Sequence, residues 1–146
     1  MMTSEPQQAV PGQLRILTYA SGRTGLASLF ILGGLSKVTS YPKTLVRMES
    51  AGLAHAELLL PAAIALEVVG GLIVAFTMRG VCVAAGMLAV YTLAINGFLH
   101  RFWELEEPLR SLELSLFFKN VSIAGALLMV ASTGPSRTEK LKGALR

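Results

Sequence analysis

The chain has 146 residues, of which 53% are hydrophobic and only 15% charged, and its mean hydropathy is +0.58. Soluble domains carry roughly 25% charged residues, so the composition points away from a soluble enzyme, and such hydrophobicity excludes a disordered tail. The formal charge of +4 comes without a nucleic-acid-binding motif, so the basic residues are read against a membrane and nucleic acid is set aside as a partner.

One domain is expected at this length. The single cysteine, Cys82, excludes an internal disulfide and a cysteine-based zinc site. It lies in an apolar run and reads as a small buried hydrophobe. Residues 1–13 are polar, with Pro6, Pro11 and Gly12, and lack the basic start of a signal peptide. They read as a flexible tail. Residues 14–135 form the membrane domain, and residues 136–146 form a polar, basic tail.

A bilayer-spanning helix needs roughly 20 mostly apolar residues. Four segments meet that length. The first, from about Ile16 to Val38, carries Arg23 and ends at Lys37. The second, Leu58 to Met78, is broken only by Glu67. The third, Gly80 to Leu99, has no charge. The fourth, about Leu116 to Thr133, has Lys119 near its start. The third segment is apolar around its whole circumference, and a chain this small cannot wrap such a helix away from water. Between the first two, Lys43 to Ala51 reads as a short amphipathic helix lying in the interface, ended by Gly52. The expected fold is all-α: a polytopic membrane protein with four transmembrane helices in an antiparallel bundle. An even number of spans puts both termini on one side. That side holds six Lys and Arg residues (Arg15, Arg79, Arg137, Lys140, Lys142, Arg146), against Lys43, Arg47, Arg101 and Arg110 on the other. The bias favours cytoplasmic termini in a cell membrane, with a bacterial inner membrane as the setting.

The informative residues are charges where membranes disfavour them. Glu67 sits in the middle of the second helix. Arg23 lies about two turns into the first, at a depth an arginine side chain can match to Glu67. An Arg23–Glu67 ion pair is expected, either as a device that sets helix register or as a functional group. At the opposite membrane face, Thr92, Asn96, His100 and Trp103 share one face of the third helix. Lys37 and the Lys119-Asn120 pair fall at similar depth. Lys37, Asn96, His100, Trp103, Lys119 and Asn120 are therefore expected to form a polar binding mouth. Trp103 and Tyr41 alone would be interfacial anchors. His100 could bind a quinone or substrate oxygen or relay a proton. A lone histidine without further His or Cys ligands argues against a metal site, and His55 reads as solvent-facing. The glycines within the spans, such as Gly33-Gly34 and Gly70-Gly71, read as close helix packing and not as a phosphate loop.

Taken in order, several fragments resemble the DoxX family of small four-helix membrane proteins. They are Arg23, Gly34-Leu-Ser-Lys37, Gly52, Glu67, Gly70-Gly71, Met78-Arg79, His100-Arg-Phe-Trp103, Lys119-Asn120, Gly125 and Gly134-Pro135. The C-terminal end departs from the family's Ser-Leu-Asp finish: Ser136-Arg137-Thr138 stands there, and the chain contains no aspartate. The resemblance implies a subunit linked to thiosulfate:quinone oxidation or a partner in membrane redox and thiol-stress complexes, by fold-level analogy. Three functions compete. The first is an accessory protein, not an enzyme on its own, binding a hydrophobic small molecule or a redox partner protein. The second is a quinone-linked oxidoreductase subunit, with quinone as the only cofactor in view. The third is a small proton-linked transporter using Glu67, which would need a homo-oligomer.

Overall fold

The computed structural model describes residues 12–77 and 79–133. Five α-helices follow one another: α1 (Gly12–Thr39), α2 (Tyr41–Ser50), α3 (Ala56–Phe76), α4 (Val81–Leu99) and α5 (Leu109–Ser132). A single 3-10 turn, Phe102–Glu104, lies between α4 and α5. The fold is all-helical. Among the described residues, three stretches are long and apolar enough to cross a membrane: Ala56–Phe76, Val81–Glu104 and Leu109–Ser132. The long α1 is not among them, because its polar residues dilute its apolar stretch. The expectation of four such segments is met for three.

Helix α1 packs antiparallel along α3, and α4 along α5, while α3 and α4 join the two pairs. Contact between α1 and α5 is slight, and the Tyr19 hydroxyl meets Thr133 Oγ1 at 2.8 Å where it occurs. The core forms from small and branched residues, among them Ala27, Val74, Ala85, Leu88 and Leu127. Small side chains let membrane helices approach closely, and two glycines show the effect. A Cβ on Gly34 would stand 2.7 Å from Val68 Cγ2, and one on Gly71 would stand 2.8 Å from Ile31 Cγ1. The α1–α3 contact depends on both. Cys82 is half-buried at the edge of this core.

Helix α2 is amphipathic, with Met48 buried against Ala56 and Leu60 and with Lys43 and Arg47 exposed. Pro42 in its first turn supplies a preset φ where no N–H is needed. Gly52, at φ +82°, turns the chain after it into α3.

Most helix boundaries fall within two residues of expectation, and the starts of α1 and α5 differ most. Helix α1 begins at Gly12, two residues inside the segment read as tail. Helix α5 begins at Leu109, about two turns before Leu116. The rest of the two tails, with Met78, lies outside the described residues.

Candidate functional site

The centre of the bundle holds a three-residue polar cluster built from three helices. Glu67 on α3 is buried, at 5% exposure. Lys37 Nζ on α1 donates to both carboxylate oxygens, at 2.9 Å to Oε1 and 2.8 Å to Oε2. The Tyr91 hydroxyl on α4 donates to Oε1 at 2.7 Å. Lys37 also reaches back toward the Gly33 carbonyl at 3.4 Å. Gly33 lies against the pair: a Cβ there would meet Glu67 Oε2 at 3.5 Å, an ordinary van der Waals contact.

This arrangement corrects the expected Arg23–Glu67 pair. Side chains on a helix lean toward its N-terminus. On antiparallel α1 and α3, Arg23 and Glu67 therefore lean apart, whereas Lys37 and Glu67 lean toward each other. Arg23 is buried beside the opposite end of α3. Its Nε donates to the Val74 carbonyl at 2.7 Å and its Nη2 to the Thr77 carbonyl at 2.6 Å. Val74 lies seven residues from Glu67, about 10 Å along the helix. Carbonyls at a helix C-terminus have no intrahelical donors, and a cation there also faces the negative end of the helix dipole. Arg23 thus caps α3, with the Tyr19 ring 5.6 Å from its guanidinium.

The expected single mouth divides in two. Lys37 joins Glu67 on the α1–α3 side. Asn96, Asn120 and His100 lie between α4 and α5. Buried Asn96 donates Nδ2 to the Phe117 carbonyl at 3.2 Å and accepts from Asn120 Nδ2 at 3.0 Å. His100 Nδ1 stands 2.6 Å from Glu113 Oε2. Thr92 is buried but satisfied within its own helix, donating to the Leu88 carbonyl at 2.7 Å. Lys119 does not join Asn120, because consecutive residues on a helix point about 100° apart. Asn120 faces α4 while Lys119 is exposed. Trp103 is 54% exposed and packs edge-on against Phe102 and Phe117, the arrangement of an interfacial anchor. His55 is exposed in the turn before α3.

Two residues of these clusters escaped the sequence. Tyr91 carried a signal: a phenol inside an apolar helix needs a hydrogen-bond partner. Glu113 precedes Leu116, where the apolar run of the fourth segment begins, so the apolar pattern alone does not place it on the helix. With α5 starting at Leu109, Glu113, Phe117, Asn120 and Ala124 fall on one face at i, i+4, i+7 and i+11.

Beside the central cluster runs an apolar groove of about 250 Å³ between α3 and α4, with α2 at its edge. Met48, Leu53, Leu66, Ala94 and Phe98 line it, and the Tyr91 ring forms part of its wall. The same tyrosine therefore faces the groove with its ring and the Lys37–Glu67 pair with its hydroxyl.

A bundle of apolar helices with a charged pair in its interior defines a small polytopic membrane protein. The DoxX family model matches residues 19–101, and the chain belongs to that family. It is 29% identical over 126 residues to the inner membrane protein YphA of Escherichia coli, covering 85% of this chain and 88% of that protein. To the inner membrane protein YqjF of the same organism it is 36% identical over 107 residues, covering 73% of this chain and 76% of that one. No solved structure matches the chain.

Proposed function

We propose that this protein is an accessory component of a membrane-associated redox system, not an enzyme on its own, and that it binds a lipophilic small molecule in the α3–α4 groove. The observation that carries the reading is the coincidence of an apolar groove with Tyr91, whose hydroxyl is held by a buried Glu67–Lys37 pair. A ligand displacing the Tyr91 ring would disturb the only link described between α4 and that pair. Occupancy would thereby reach α1, where a partner protein could sense it. The redox setting rests on family membership alone.

The proposed membrane arrangement has four spans, with α1 as the fourth, and both termini in the cytoplasm. Support for α1 comes from its packing against α3, with Arg23 at the C-terminal end of α3 and Lys37 at Glu67 in its middle. A C-terminal reporter active only outside the cytoplasm would overturn the orientation. The binding reading is tested with purified protein in dodecyl maltoside titrated with diphenylhexatriene, a lipophilic dye. Saturable binding is expected, and Ala94→Trp, which fills the groove, should remove it. Failure of the wild type to bind the dye saturably would remove the reading.

A second reading is a proton-linked carrier, favoured by the buried carboxylate of Glu67. Intramembrane carboxylates commonly mark proton relays. Four helices are few for a carrier, so a homo-oligomer would be required. Glu67→Gln protein with unchanged transport in proteoliposomes would exclude it. Quinone, the alternative ligand, is judged by competition of decylubiquinone for the dye.

A further inference from the structure

We propose that the α3–α4 groove takes one acyl chain of an anionic phospholipid, whose phosphate is held by Lys43 and Arg47 of α2. This rests on the reading that the groove binds a lipophile, and it names the chemical class. Three features carry it. First, the lining is apolar throughout and the volume is about 250 Å³. Pockets for whole small-molecule ligands run roughly 300–1,000 Å³ and include placed polar groups. A segment of hydrocarbon chain fits the smaller, unadorned space better than a ring system with carbonyls. Second, α2 forms the edge of the groove through Met48, and Leu53 of the following turn extends it. An amphipathic helix at that position belongs to the interface, at the level of lipid headgroups. Third, Lys43 and Arg47 are four residues apart, so they share a face of α2, and both are exposed. Among the described residues no ion pair engages either cation. Glu49 is exposed on α2 as well, but it lies two residues past Arg47 and about 160° around the helix from it.

Arg47 directly precedes Met48 in the chain. The two residues point about 100° apart on α2, so Met48 turns into the bundle while the long Arg47 side chain stays on the exposed side of the same helix, level with the edge of the groove. The charge favours an anionic headgroup over a zwitterionic one, since basic residues near the membrane surface attract anionic lipid. A neutral ligand such as a quinone would use neither cation.

The test is native mass spectrometry of the full chain released from nonionic detergent containing dioleoyl phosphatidylglycerol or dioleoyl phosphatidylcholine. Retention of one phosphatidylglycerol, in preference to phosphatidylcholine, is expected. Each of Lys43→Gln and Arg47→Gln should weaken retention about five-fold, the factor expected for one charge at a membrane surface. Arg110→Gln, a charge change away from α2, should leave retention unchanged. Ala94→Trp should remove the lipid, and its thermal unfolding in detergent shows whether the fold survives. Equal retention of both lipids, or no effect of the two α2 substitutions, overturns the lipid assignment. If diphenylhexatriene still binds saturably in that case, the groove reading stands without the phospholipid. If neither probe binds, both fall.

Discussion

Replacing Lys37 by methionine removes the cation from the Lys37–Glu67–Tyr91 cluster while keeping most of the apolar stem. Breaking a buried pair by deleting one partner costs about 3–5 kcal/mol, because the other charge is left uncompensated. Two features of this site reduce that figure. Glu67 keeps the 2.7 Å hydrogen bond from Tyr91. The Lys37 side chain is also 27% exposed against 6% for Glu67, so its own desolvation is incomplete. A loss of about 2–3 kcal/mol is expected on these grounds. The assay is unfolding by sodium dodecyl sulfate in mixed micelles, on Lys37→Met, Glu67→Gln and the double variant. The double variant should recover about 1 kcal/mol or more relative to the sum of the single losses, since no uncompensated charge remains. A parallel cycle on Arg23→Gln and Glu67→Gln should be additive within about 0.5 kcal/mol, as for groups that share no partner. Additivity for Lys37, with non-additivity for Arg23, would refute the assignment.

Gly34→Ala and Gly71→Ala should each destabilise the protein by about 1–3 kcal/mol through overpacking, whereas Gly25→Ala and Gly86→Ala, where an added Cβ meets nothing within 4 Å, should leave unfolding nearly unchanged or slightly improve it. Tyr91→Phe keeps the groove wall but removes a donor to Glu67, so a loss of about 1 kcal/mol is expected in the same assay, with dye binding retained. Asn96→Leu removes the partner of the Asn120 amide and the second donor to the Phe117 carbonyl; interhelical polar contacts in membranes are worth about 0.6–2 kcal/mol, and a loss in that range is expected.

Much of the bundle could be read from the chain because its signals are local. Apolar length marks a span, and Gly52 marks the end of the short amphipathic stretch that becomes α2. The start of α5 was less legible, since Leu109 to Ser115 alternates serine and glutamate with leucine and contains no long apolar run. That misplacement hid Glu113 and so the partner of His100. The ion pair failed for a different reason. Counting residues from a membrane face locates Cα atoms, whereas Lys37 and Arg23 place their charges several ångströms toward the N-terminus of α1. The direction of a side chain matters as much as its depth when two helices run antiparallel. Lys119 shows the angular version of the same point: it is adjacent to Asn120 in sequence and faces another way.

The Lys37–Glu67 bridge joins residues 30 positions apart, and this bears on how the protein is made. Lys37 leaves the ribosome first and carries its charge without its counter-ion until α3 has been synthesised. At roughly 5–20 residues per second that interval lasts about 2–6 s. Helix α1 is also the least apolar of the four long helices in its own right. On the proposed four-span arrangement, its settling into lipid is tied to the arrival of α3, and the two helices would enter as a hairpin in which the Lys37 and Glu67 charges cancel. A chain stalled before residue 67 would leave α1 to chaperones and proteases, and a lesion at Glu67 would be felt during biogenesis before it was felt in any ligand.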